Sequence, residues 1–172
     1  MSVLSKRLKL LAAVAVMAVL GLAIHRMDAA AQGRSPIIDI ANSDPEMAAA
    51  IAKARATLPA FWASYEAPKA EEAGHSLKVR FPVPDRRSGG EHIWMADVKK
   101  IGNGRYSGQF ANTPVHLPGK RAGDVAEFGE TDISDWMFTR KGKIVGGETI
   151  RPMLKRMPKA DADALRARME TP

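Results

Sequence analysis

From Met47 onward the apolar positions recur at helical spacing. Met47, Ile51, Ala54, Leu58, Phe61 and Tyr65 lie four, three, four, three and four residues apart, which puts them on one side of a helix. The segment Ser43-Asp44-Pro45-Glu46 reads as its start: Asp44 can accept from the free amides of the first turn, and Pro45 fits the first helical position. Pro59 has no amide hydrogen and clashes with the carbonyl four residues back, so a kink or restart is predicted near Thr57. Ala67-Pro68 ends the helical stretch.

The period then changes to two. Leu77, Val79, Phe81 and Val83 alternate with Lys78 and Arg80, the pattern of a strand with one covered face. Asp85 to Gly90 is a loop by composition. Glu91 to Ile101 reads as a second strand, joined through Gly102-Asn103-Gly104 to a third at Arg105 to Ala111; Asn-Gly tolerates the positive φ that tight hairpins need, so the pair is antiparallel. Pro114, Pro118 and Gly119 keep the following stretch irregular. A fourth strand runs from Asp124 through Phe128, and Ile133 to Thr139 with Lys143 to Val145 forms another hairpin around Lys141-Gly142. Lys159 to Met169 is a short helix with Ala162, Leu165 and Met169 inward. The fold class expected is α+β: an N-terminal helix, a strongly curled, mainly antiparallel sheet of about five to six strands with barrel-like closure as its extreme, and a short C-terminal helix.

The first 31 residues follow a different rule. Lys6, Arg7 and Lys9 precede an uncharged run from Leu10 to Ile24, and Ala29-Ala30-Ala31 follows. Basic end, apolar middle and small residues form the order of a secretory signal cleaved after Ala31. The alternative is an uncleaved anchor at residues 10–24, shorter than the ~20 residues that span a bilayer comfortably; in either case the domain faces the periplasm or is secreted, with membrane contact through this segment only. Residues 32–43 read as a flexible leader, and 44–172 as a single domain. The full chain has 26 Lys and Arg against 19 Asp and Glu, a net charge of +7. Four of those bases and one acid fall in the signal, leaving 22 against 18 in the remaining 141 residues. So small a surplus, spread in pairs over strands and turns, suits a solvated surface and gives no reason to expect nucleic acid. The absence of cysteine removes thiol chemistry and leaves the fold to its core alone, where small exported domains often use disulfides.

Four segments carry a resemblance: Glu91-His92-Ile93-Trp94, Gly108-Gln109-Phe110-Ala111-Asn112-Thr113-Pro114, Asp132-Ile133-Ser134-Asp135-Trp136-Met137 and Gly146-Gly147-Glu148-Thr149-Ile150-Arg151. In this order they resemble the YegJ-like bacterial proteins grouped as domain of unknown function 2314, with the likeness covering residues 77–154. The resemblance implies a compact α+β module. It brings no established activity, substrate, cofactor or catalytic residue.

The chemistry must therefore be weighed residue by residue. Glu91 and His92 are a carboxylate beside an imidazole, but neighbours in a strand point to opposite faces, and His92 reads as a surface histidine. His75 and His116 are expected in loops, without the close spacing of a zinc site, so no metal and no cofactor is expected. Asp132, Asp135 and Glu148 could supply the paired acids of glycoside hydrolysis; the plainer reading has Asp132 capping the turn after Gly129 and Asp135 paired with Arg151. Trp94 and Trp136 are core residues by default. The leading expectation is a non-catalytic binding or interaction module of the bacterial envelope, using a face that carries Trp94, Asn112, Asp135, Trp136 and Arg151, with a protein or an anionic envelope component as partner. The alternatives are an envelope-polymer hydrolase using Glu91, Asp135 or Glu148, and an inhibitor or immunity-type protein with a flat, partly apolar patch.

Overall fold

The structure, a computed structural model, describes residues 44–83 and 90–171; the expected signal, the leader and residues 85–89 of the expected loop lie outside the described residues. Two helices open it, α1 (Pro45–Ala56) and α2 (Leu58–Glu66). The Asp44 carboxylate accepts from the amides of Glu46 and Met47 at 2.9 and 3.2 Å, satisfying donors that the first helical turn leaves free. The break falls at Thr57, with Pro59 in the first turn of α2. The sequence predicted the joint; its use is seen only in three dimensions. The indole Nε1 of Trp136 donates to the Ala54 carbonyl at 2.9 Å and lies 3.2 Å from the Thr57 hydroxyl, docking the sheet onto it.

Six strands follow: β1 (Glu72–Phe81), β2 (Glu91–Gly102), β3 (Arg105–Phe110), β4 (Val125–Gly129), β5 (Ile133–Arg140) and β6 (Lys143–Gly146). They form one antiparallel sheet in the order β4-β3-β2-β1-β5-β6. The fold class is α+β as expected. The sheet is open, with β4 and β6 at its two ends, so the barrel-like closure does not form. Asn103 and Lys141 take the left-handed conformation, φ 52° and 49°, in the two hairpin turns.

The two faces of the sheet are covered differently. On one, Leu77, Val79, Ile93, Met95, Phe110 and Trp136 pack under Ala54, Leu58 and Phe61 of the first two helices. The other is covered at one end, where α3 (Ile150–Leu154) and α4 (Lys159–Arg168) enclose Met137, Ile144 and Met169, with Trp94 at the margin. Strand β5 lies between both layers, and all six residues from Ile133 to Phe138 are buried. Burial on both sides explains why that strand lacks polar–apolar alternation. Its neighbour β6 is closed off by the C-terminal tail: Met169 bridges Ile144, and the Glu170 amide donates to the Ile144 carbonyl at 2.7 Å.

Two elements depart from expectation. Strand β1 starts at Glu72, five residues before Leu77, because Glu72, His75 and Ser76 are held by specific polar partners and a register shift between Ala73 and Ser76, so no apolar period announces them. Helix α3 is five residues long and contains Pro152, too short to carry a helical period.

Candidate binding face

The register aligns Asp135, Lys78 and Trp94 across β5, β1 and β2 on the face that α3 and α4 only partly cover. Asp135 is wholly buried. Its Oδ1 accepts from the amides of Trp136 and Glu148 at 2.8 and 3.1 Å, and its Oδ2 from the amide and hydroxyl of Thr149 at 2.8 and 2.6 Å. Both oxygens are thereby saturated. The Thr149 hydroxyl in turn accepts from Lys78 Nζ at 3.2 Å, and that ammonium stands 5.6 Å from the centre of the half-buried Trp94 ring. Burial pushes the Asp135 carboxyl up and the Lys78 amine down. The Thr149 bonds on Asp135 and the attraction between the two charges oppose those shifts.

One step along the same face, β5 and β1 lose register between Lys78 and Val79. There the Ser134 hydroxyl donates to the Lys78 carbonyl at 3.1 Å and lies 2.8 Å from His92 Nδ1. With the serine proton committed, His92 must supply the hydrogen from Nδ1, which fixes its neutral tautomer. Burial, then the charges of Lys78, Arg80 and Arg55, bring the His92 imidazole down to about 4. His92 is half-buried, so the reading as a surface histidine is corrected.

The sequence reading missed a second polar group, on the helical side. Ser64 Oγ lies 2.7 Å from Glu72 Oε2 and 2.7 Å from His75 Nε2. The residue types are those of a hydrolytic triad, but the wiring differs. Ser64 donates to the carboxylate, so His75 donates to Ser64 and cannot take its proton, whereas a triad needs the acid on the far nitrogen of the imidazole. Bonds from Ser64 and the Lys69 amide, with Arg140 at 3.0 Å, bring Glu72 down to about 2. His75, expected in a loop, lies in β1 and stacks on Phe138.

The five residues expected to share a face divide. Trp94 and Asp135 lie on it. Trp136 points to the opposite side, into the packing against α1 and α2. Arg151, on α3, reaches the Glu148 carboxylate at 3.4 Å and the Glu170 carbonyl at 3.3 Å, so the partner of Asp135 is Thr149 and not Arg151. Asn112 is exposed in the loop after β3. Of the candidate acids, Glu91 accepts from the amides of Val115 and His116, both at 2.8 Å, fastening that loop. Glu148 pairs with Lys53 at 3.1 Å as well as with Arg151. Asp132 accepts from the Gly129 amide at 2.9 Å, the cap read from the sequence. Among the described residues no group of three or more His, Asp or Glu side chains could hold a metal ion.

A family model described as "Uncharacterized protein conserved in bacteria (DUF2314)" matches residues 44–169, which takes in every helix and strand of the fold. The chain belongs to the DUF2314 family. A relative within reach of direct comparison is "Uncharacterized protein YegJ" of Escherichia coli (strain K12), 39% identical over 94 residues; the match covers 55% of this chain and 60% of that protein. No solved structure matches. In this DUF2314 protein the buried Asp135–Thr149–Lys78 chain and the half-buried Trp94 stand side by side on this face.

Proposed function

We propose that this DUF2314 protein is exported and acts in the bacterial envelope as a non-catalytic binding module, contacting a protein or an anionic envelope component through the face centred on Trp94. The observation that carries this reading is the state of Asp135: all four of its acceptor positions are filled by the scaffold, leaving it nothing to offer a reacting group. Glu91 and Glu148 are likewise engaged. A half-buried indole beside an ammonium, by contrast, suits contact, since aromatic residues with a polar neighbour are what interfaces favour. The export half rests on the leader pattern of residues 1–31.

Fractionation of a bacterium expressing the full chain tests export. A product beginning at Gln32 in the periplasm supports it, as does an uncleaved chain in the membrane whose domain is protease-sensitive from the periplasmic side. An intact precursor in the cytosol overturns it. A photo-crosslinking residue at position 94, compared with one at position 141, tests the face. A discrete adduct from 94 alone is expected, and equal labelling from both positions refutes the assignment.

A further inference from the structure

A different part of the same sheet carries a site. Between Ala96 and Lys99 strand β2 loses register with β3, and Asp97 sits there with φ 48°, a left-handed conformation in a residue other than glycine. Opposite lies Gly108, where a Cβ would stand 3.1 Å from the Ala96 carbonyl and 3.4 Å from the Met95 side chain, so a bulkier residue would press on the opened seam. The bulge leaves an open cavity of about 280 Å³ bordered by Asp97, Lys99, Ser107, Gln109, Val125 and Tyr65. Ser107 and Gln109 alternate with the buried Tyr106, Gly108 and Phe110, and therefore face away from the main core, as Trp94 does. Tyr65 closes the inner end, its hydroxyl donating to the Val98 carbonyl.

Three observations point to a ligand. Among the described residues, the side chains of Asp97, Lys99, Ser107 and Gln109, which all border the cavity, make no hydrogen bond or ion pair with the scaffold. A carboxylate and an ammonium of opposite sign thus border one concavity, with an amide and a hydroxyl between them and the exposed Val125 beside them. The left-handed conformation at Asp97 marks the bulge, and bulges re-aim side chains and recur beside binding sites.

We propose that the β2–β3 bulge binds a small zwitterion, a free amino acid or the amino-acid end of a larger molecule. Asp97 takes the ammonium, Lys99 the carboxylate, and Ser107 and Gln109 the remaining polar atoms. The volume suits one compact molecule, being below the range of sites for drug-sized ligands. This site does not depend on Trp94 or on export.

The test is a titration of the ¹⁵N-labelled full chain with L-alanine, and with ethylammonium, acetate and glucose as separate probes. Saturable shifts of the amides of residues 97–99 and 107–109 with L-alanine, and much weaker ones with the other three, are expected. Asp97→Gly should weaken L-alanine binding at least about tenfold, as loss of a charge-assisted bond does, while leaving the melting temperature equal or higher because the strain is relieved. Lys99→Met should weaken binding similarly. Saturable binding of glucose instead of L-alanine, no saturable shift with any probe, or undiminished binding by Asp97→Gly each overturns the proposal.

Discussion

Asp135 is where a single side chain holds the most together. Removing its carboxylate strands the amides of Trp136, Glu148 and Thr149 in a buried place and leaves Lys78 without its nearest counter-charge. Asp135→Ala should cost about 3–5 kcal/mol, read as a lowered urea midpoint, and Thr149→Val should cost less because the amides keep their acceptor. Two other residues shape the acid side of the stability curve in separate windows, and His75, lowered by burial as well, adds to the upper one. His92 drops from 6.5 unfolded to about 4 folded, so the folded state binds fewer protons between those values and stability falls as pH falls from 6.5 towards 4. Glu72, lowered from 4.5 to about 2, has the same sign and acts from 4.5 down to about 2. Urea denaturation over pH 2–8 should therefore show His92→Gln reducing the slope of the upper window, with His75 supplying the remainder, and Glu72→Gln reducing that of the lower one. A variant that flattened both equally would mean that the two groups are not independent.

At the scale of elements, Gly146 shows how tightly β6 is set against β5. Its φ is 78°, and a Cβ would stand 2.4 Å from the Trp136 carbonyl, so Gly146→Ala should displace the strand and cost several kcal/mol, about 3 or more, visible as a lower melting temperature. The carbonyl that Gly146 makes room for was not legible in the sequence, because that contact joins different strands. The same division holds more widely. The period of four and three from Met47 to Tyr65 foretold the first helical stretch, Pro59 foretold its break, and Asn103 foretold the hairpin, since each signal is local. The placement of β1 between β2 and β5 was not legible, and neither was the burial of β5 on both faces. Both depend on pairing between distant segments. For the site, residue types identified Trp94 and Asp135, but only the register could separate them from Trp136; Gly108 signalled a bulge in its strand, and only the register placed the extra residues at Asp97 and Val98 on β2.

For the whole molecule, the unequal cover on the two faces sets the order of opening. The smaller cluster under α3 and α4 contains Met137, Ile144, Ile150, Leu154, Ala162 and Met169, whereas the larger one joins α1, α2 and most of the sheet. Native-state hydrogen exchange should give α4 and β6 a lower opening free energy than the paired amides of β1 and β5, which should exchange only by global unfolding; equal protection throughout would show one indivisible unit. The two ends of the sheet also differ. The tail from Met169 lies along β6, while β4 presents Val125, 62% exposed, beside an unpaired rim among the described residues, and its brevity limits what such a rim can recruit. The position of β1 has a consequence for the newborn polypeptide. Its left-hand neighbour is made soon after it, but its right-hand neighbour comes only with residues 133–140, so ribosome-held fragments ending before Arg140 should stay open and digestible, and closure must wait for β5 to emerge.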